Sequence, residues 1–188
     1  MPILISPPRG RGKPVNTTVE HTSKVSSEPI IEFELEEDAY NYDVVRSISK
    51  RWSVSRVWGP EDETEYLVIM IDRQSVGNKQ QVSITCRYKP IDTIKRLRVY
   101  DSINGSYKIE KFLDIVFKGT GLDYKIAESN LPSSEFENAG EGETVEELIK
   151  KAMAHWDLEF DIEFNKKTKK YTFVFVPYLQ KTANYQID

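Results

Sequence analysis

Apolar and polar positions along this chain follow two different periods, and the switches between them mark its elements. Ile30-Ile-Glu-Phe-Glu-Leu-Glu36 alternates apolar and acidic residues, the pattern of a strand with one buried and one wet face. Asp38 is placed to cap a short helix, in which Tyr42, Val45 and Ile48 recur at helical spacing. Strand-like stretches follow over Trp52–Trp58 and Tyr66–Asp72, joined by the acidic, breaker-rich turn Gly59-Pro-Glu-Asp-Glu-Thr64. Arg73–Lys79 reads as a second turn, with Gly77-Asn78 able to supply positive φ, and Gln80–Tyr88 as a further strand. Short strands, tight turns and one small helix predict a compact antiparallel β-barrel over residues 30–91.

Around Pro90 the pattern changes. Asp92–Leu97 forms a helical turn. Ser106 then stands as the N-cap of a helix whose Ile109, Phe112, Leu113, Val116 and Phe117 share one face. Gly119-Thr-Gly121 ends it, since glycine tolerates the left-handed C-cap geometry. Leu122–Ala127 is a strand and Pro132–Gly142 an acidic loop. Thr144-Val-Glu-Glu147 matches a capping box, and the helix it opens turns Val145, Leu148, Ile149, Ala152, Met153 and Trp156 inward. A hairpin closes the pattern, Leu158–Phe164 against Tyr171–Tyr178 across the turn Asn165–Lys169. Residues 92–178 thus predict a small α+β unit, and the chain as a whole an α+β protein. Two flanks complete the division. The breakers and cations of Pro7-Pro-Arg-Gly-Arg-Gly-Lys-Pro14 make residues 1–29 an extended arm. Residues 179–188 begin something strand-like and stop, as expected of a segment from a longer protein.

Length and charge narrow the function. At 188 residues the chain can bury a core without staples, and its net charge of −4 lacks the basic field that nucleic-acid binding needs. No stretch is apolar enough to span a membrane, and the N-terminus lacks a basic region before its short apolar run, so no export signal is expected. The lone Cys86 excludes an internal disulfide and multi-cysteine zinc sites, and its place in the alternation with Val82 and Ile84 makes it a buried hydrophobe.

Candidate chemistry is thin. His21 and His155 have no metal-ligand spacing around them, and His155 suits a helix C-terminus. No Gly-x-Ser-x-Gly elbow occurs, and Gly10-Arg-Gly12 and Gly119-Thr-Gly121 lack the lysine of a phosphate loop. The acids fall in turns and caps. No catalytic, cofactor or metal site is expected. What stands out is a surplus of aromatics, Tyr40, Trp52, Trp58 and Tyr66 among them, more than a small barrel can bury. Tyr and Trp left on a surface mark protein interfaces. Lys95, Arg96 and Arg98 form a basic cluster suited to an acidic neighbour. These seven residues are the candidate interface.

The order of the signals resembles the N-terminal hub region of siphophage and prophage tail-tip proteins, labelled prophage tail endopeptidases or tail-associated lysins. The residues that carry the resemblance are Ser6-Pro-Pro-Arg-Gly-Arg-Gly-Lys-Pro14, Asn41-Tyr-Asp-Val-Val45, Glu65-Tyr-Leu-Val-Ile69, Ile71-Asp-Arg-Gln-Ser-Val-Gly77, Asp92–Tyr100 and Phe117-Lys-Gly-Thr-Gly-Leu122. No single motif is diagnostic; the ensemble spans nearly the whole chain. The resemblance implies a first β-barrel hub domain, then a lateral α+β domain, then a return toward a second barrel. It implies a trimer that closes the tail tube beneath the hexameric distal tail protein, with the tape measure protein as a further partner. The protein would be made in the host cytoplasm and end in the virion tail tip. Lytic domains of the family lie further toward the C-terminus, so this segment is expected to be structural. Two alternatives are a peptidase or wall hydrolase with a site built from scattered residues, and a wall-carbohydrate module using the exposed aromatics.

Overall fold

The computed structural model describes residues 2–22, 29–128 and 130–178. The chain divides into two compact units, Met1–Asp92 and Thr93–Asp188. Among the described residues it is mostly β, with four helices.

The first unit is one antiparallel sheet. In chain order it holds β1 (Pro2–Ser6), β2 (Lys13–Asn16), β3 (Val19–Thr22), β4 (Ile30–Glu36), helix α1 (Tyr42–Ser47), β5 (Ser53–Ser55), β6 (Tyr66–Val76) and β7 (Lys79–Tyr88). The strands lie in the order β2-β1-β5-β6-β7-β4-β3. Residues 2–22 are therefore sheet, and the arm expected there gives way to three strands. The breakers are confined to the connection between β1 and β2, while Ile3, Ile5 and Val15 on either side of it are buried. Gly12 is required where that connection folds back, because a Cβ there would lie 2.3 Å from Ser6 Oγ.

The hydrogen-bonded order is open, so the expected barrel is not closed by a ladder. β2 and β3 end the sheet on opposite edges, yet only Thr17 and Thr18 separate them in sequence. Three Cα steps span at most about 11 Å, so the sheet must curl until its two edges meet. The strand running from Lys13 to Thr22 pairs with β1 in its first half and with β4 in its second. At this seam the Thr17 hydroxyl donates to the Glu34 carbonyl at 2.8 Å.

The inward positions of the strands meet in one core with Val44, Val45 and Ile48 of the α1 region. Helix α1 starts later than the Asp38 cap reading placed it. The Asp38 carboxylate instead accepts the amides of Tyr40 and Asn41, folding a turn before Tyr42. At its other end Arg73 donates to the carbonyls of Val45 and Ile48, satisfying acceptors that a helix terminus leaves orphaned. β6 and β7 run further than expected and turn at Gly77-Asn78, so Arg73–Val76 is strand rather than turn. β5 is correspondingly short, with residues 56–64 taken up by a structured loop.

The second unit follows α2 (Lys89–Arg96), within which the division falls. It contains β8 (Arg98–Val99), β9 (Ser102–Tyr107), α3 (Ile109–Phe117), β10 (Asp123–Ile126), β11 (Ser134–Gly140), β12 (Glu143–Thr144), α4 (Val145–Trp156), β13 (Leu158–Asn165) and β14 (Lys170–Pro177). The final hairpin forms as expected, Phe160 opposite Phe175 and Ile162 opposite Phe173, and β10 adds in parallel to β14. The capping box is present: Thr144 Oγ1 accepts the Glu147 amide at 3.2 Å, and Glu147 Oε2 accepts the Thr144 amide at 2.7 Å. Two expectations fail. Ser106 sits in β9 opposite Glu135, and α3 starts after Lys108 without a side-chain cap. The loop expected over Pro132–Gly142 contains β11. Both strands are polar, with Ile103, Phe136, Ala139 and Gly140 as their buried positions, and a bulge between Phe136 and Ala139 breaks the alternation. The expected return segment, 179–188, lies outside the described residues.

Candidate assembly surface

Trp58 is the most deliberately built of the candidate residues. Asp62 organises the loop between β5 and β6. Its carboxylate accepts the amides of Trp58 and Thr64 and the Thr64 hydroxyl, while its backbone exchanges bonds with Arg56 and Gly59. Gly59 is buried at φ +133°, a conformation open to glycine. The loop holds Trp58 59% exposed, edge-on to His21 at 4.9 Å. Its indole N–H donates to the Tyr66 hydroxyl, which burial pushes above the ordinary phenol pKa.

Tyr66 itself is 4% exposed and packs 5.4 Å from Tyr88, so it belongs to the core rather than to a surface. Trp52 is half-buried against the same core. The alternation that placed both residues in strands could not say which face was which. Tyr40, 84% exposed, stands on the turn before α1. In the second unit Lys95 lies 3.5 Å from Glu146, Arg98 donates to the Gly142 carbonyl, and Arg96 is exposed. The basic cluster is thus partly spent on the unit's own structure.

Two surface features carry no motif. The outward positions of β3, β4, β6 and β7 form a concave face of about 620 Å³ lined by Glu20, Glu32, Glu34, Asp72, Ser83 and Thr85. Ser83 donates to Glu34 at 3.0 Å and Thr85 to Glu32 at 3.2 Å. The β1–β2 connection presents Arg9 and Arg11, both exposed. The acids of β4 were legible as its wet face; their gathering with Glu20 and Asp72 depends on strand order.

Among the described residues no group of His, Cys, Asp and Glu is arranged to hold a metal. Burial pushes the Cys86 thiol up, away from reactivity. Ser134 Oγ lies 2.6 Å from His155 Nδ1, a contact the sequence did not suggest, and the His155 ring lies tilted 4.4 Å from Phe136. This docks the last turn of α4 on β11. No described helix is long and apolar enough to cross a membrane.

The architecture is a curled antiparallel sheet followed by an α+β unit. The fold is that of phage tail proteins. It is similar to prophage tail protein gp18 from Listeria monocytogenes EGD-e, with a TM-score of 0.71 and 17% identity over 94% of this chain and 51% of that one. It is also similar to the 43 kDa tail protein of prophage MuSo2 from Shewanella oneidensis (TM-score 0.63, 15% identity, 92% of this chain and 52% of that one). A third likeness is to the E. coli c3393 protein, a component of the type VI secretion system described as structurally similar to T4 tail proteins gp27 and gp5 (TM-score 0.59, 12% identity, 92% and 48%). The chain spans about half the length of these proteins. No curated protein matches it in sequence. Residues 1–90 match the family described as Tal, N-terminal tail tube TT1 domain. The first of the two units thus carries a tail tube domain of the tail-tip type, in a chain whose fold is that of phage tail proteins.

Proposed function

We propose that this chain is the hub-forming segment of its tail tip. The observation that carries this reading is the coincidence of the TT1 match, residues 1–90, with the first compact unit, residues 1–92. In this reading the first unit is the barrel-like hub domain, its curled sheet serving as the barrel wall, and the second is the lateral domain. The partners are further copies of the protein, as a trimer, the hexameric distal tail protein, and the tape measure protein. A trimer meets a six-fold ring evenly when each subunit offers two similar surfaces, so a second barrel-like domain complements the one described. This segment is non-catalytic, and any wall-cleaving activity of the full-length protein belongs to a separate domain. Trp58, Tyr40, Arg96 and Arg98 are the candidate residues exposed for contact; Tyr66 and Trp52 support the loop and core behind the aromatic pair.

Light scattering on a gel-filtration column tests the reading. Mixed with its cognate distal tail protein, the chain co-elutes as a larger species; alone, it trimerises weakly or not at all. Trp58→Ala weakens co-elution while leaving the thermal midpoint within a few degrees. If the full-length protein also elutes apart from the ring, the hub reading fails.

A further inference from the structure

Strand β13 ends its sheet and, among the described residues, pairs with β14 alone. The ladder fixes which backbone groups that pairing uses. The Tyr178 amide donates to the Asp157 carbonyl at 3.0 Å, and in an antiparallel pair bonded residues alternate with unbonded ones. Glu159, Asp161 and Glu163 therefore bond to β14. The far side of β14 agrees: the Phe175 carbonyl, opposite Phe160, accepts the Ala127 amide just after β10 instead. The backbone groups of Phe160, Ile162 and Phe164 thus point outward along the free edge. An edge of this length is a template for another strand, which native proteins ordinarily cover or block. Here the Ile162 amide donates to the carboxylate of its neighbour Asp161 at 2.7 Å. The side chains sort by face. Phe160, Ile162 and Phe164 share one and are each only part-buried; Glu159, Asp161 and Glu163 share the other. Glu163 lies 3.4 Å from Lys125, whereas Glu159 and Asp161 have no cation beside them among the described residues.

We propose that the free edge of β13 docks an extended segment of another protein, one in which basic and apolar residues alternate. The segment adds to the sheet as a fourth strand. Its backbone bonds to that of Phe160, Ile162 and Phe164, its apolar side chains cover their flank, and its cations stand opposite Glu159 and Asp161. Asp161 selects the charge. A strand that takes the Ile162 amide displaces the Asp161 carboxylate from it, and a basic side chain returns a charged partner to that carboxylate. A neutral or acidic segment leaves it without one, so the same residue that attracts a basic strand rejects the others. A second copy of β13 is a poor occupant, because its own acids would face Glu159 and Asp161 across the new pair, and like charges there destabilise it. The proposal concerns the second unit alone and goes beyond the hub reading without resting on it.

A synthetic peptide of alternating lysine and valine, matched to the eight residues of β13, tests it. Labelled at one end and titrated with the whole chain, the peptide shows a saturable rise in fluorescence anisotropy. Hydrogen exchange slows at the amides of Phe160, Ile162 and Phe164. N-methylating every second residue of the peptide weakens binding about ten-fold in one frame and not in the other, since only alternate amides of a strand face a given neighbour. Asp161→Lys reverses the preference: the lysine peptide binds about ten-fold more weakly and a peptide of alternating glutamate and valine binds better. Ile162→Pro removes an outward amide while sparing the β14 ladder, the setting in which a strand tolerates proline, and weakens binding as well. If that variant melts early, the N-methylated peptides carry the same test from the other partner. Failure to saturate, equal affinity for the glutamate peptide, indifference to N-methylation in both frames, or protection confined to other strands overturns the proposal. So does dimerisation of the chain through β13 in place of peptide binding.

Discussion

The two units enclose their cores in opposite ways. The first wraps a single sheet around a mainly aliphatic interior, with Phe33 and Tyr66 as its aromatic members. Its strands are remote in sequence: Ile3 and Ile5 share a core with Val82, Ile84 and Cys86. The second unit uses α3, α4 and three small sheets, and packs rings on rings. Phe112 stacks on Phe136 at 4.3 Å, and Phe117 meets Phe173 edge-on at 5.4 Å. Its final hairpin is local and needs one four-residue turn. The difference teaches where each unit is vulnerable: the first in its connectivity, the second in the volume of individual side chains.

Truncation should break the comparison most completely. Removing residues 1–16 takes away β1 and β2, and with them one of the two partners of β5 and three core side chains. The first unit should then lose its cooperative melt, while the near-ultraviolet circular dichroism of the buried Trp156 persists in the second. Loss of both signals together would mean that the units do not fold separately. Phe173→Ala should act the other way round, costing the second unit about 3–5 kcal/mol through the cavity it leaves. Denaturant titration followed at Trp156 measures it.

Smaller changes sharpen the contrast. Thr144→Ala removes the side-chain half of the capping box and should cost about 1 kcal/mol. Thr17→Val removes the seam bond to Glu34 and should cost a similar amount, roughly 0.5–1.5 kcal/mol, from the first unit alone. Acid gives the smallest separation. Arg46 holds Glu37 below the ordinary glutamate value of 4.5, Lys13 lowers Asp43, and the Thr144 amide and hydroxyl lower Glu147. A carboxylate held below its unfolded pKa stabilises the fold above that value, and the gain is lost as pH falls through the folded one. Both units should therefore lose stability below about pH 4.5. The difference in thermal midpoint between wild type and Glu147→Gln should shrink over the same range.

Legibility in the sequence followed the same division. Alternation made β4 and β13 readable, because one face of each is turned inward and the other wet, while β14 was readable as an apolar run after a turn. The capping box was readable because its bonds are local. β1 and β2 were hidden by the breakers between them, where Pro7, Pro8, Gly10 and Gly12 outweighed the brief alternation of Ile3 and Ile5. β9 and β11 were hidden because each buries so few residues and a bulge interrupts their register. Among the candidate surface residues, exposure of Trp58 and Tyr40 could be anticipated from the excess of aromatics. The burial of Tyr66 could not, since it depends on which way β6 faces after the sheet curls. The acidic concavity was equally illegible, being assembled from four strands whose neighbours are decided by closure.

The change of partner along Lys13–Thr22 also has a consequence for synthesis. β1 leaves the ribosome first, but β5 and β7 follow roughly 50 and 80 residues later, about 4–16 s for the longer gap at 5–20 residues per second. Until then Ile3, Ile5 and Val15 have no complete core to enter, although the strand that bridges the seam already has its β1 and β4 partners. A nascent chain of this kind spends seconds with sticky, half-satisfied strands in a crowded cell. Folding of the first unit is therefore expected to wait on the delivery of β7.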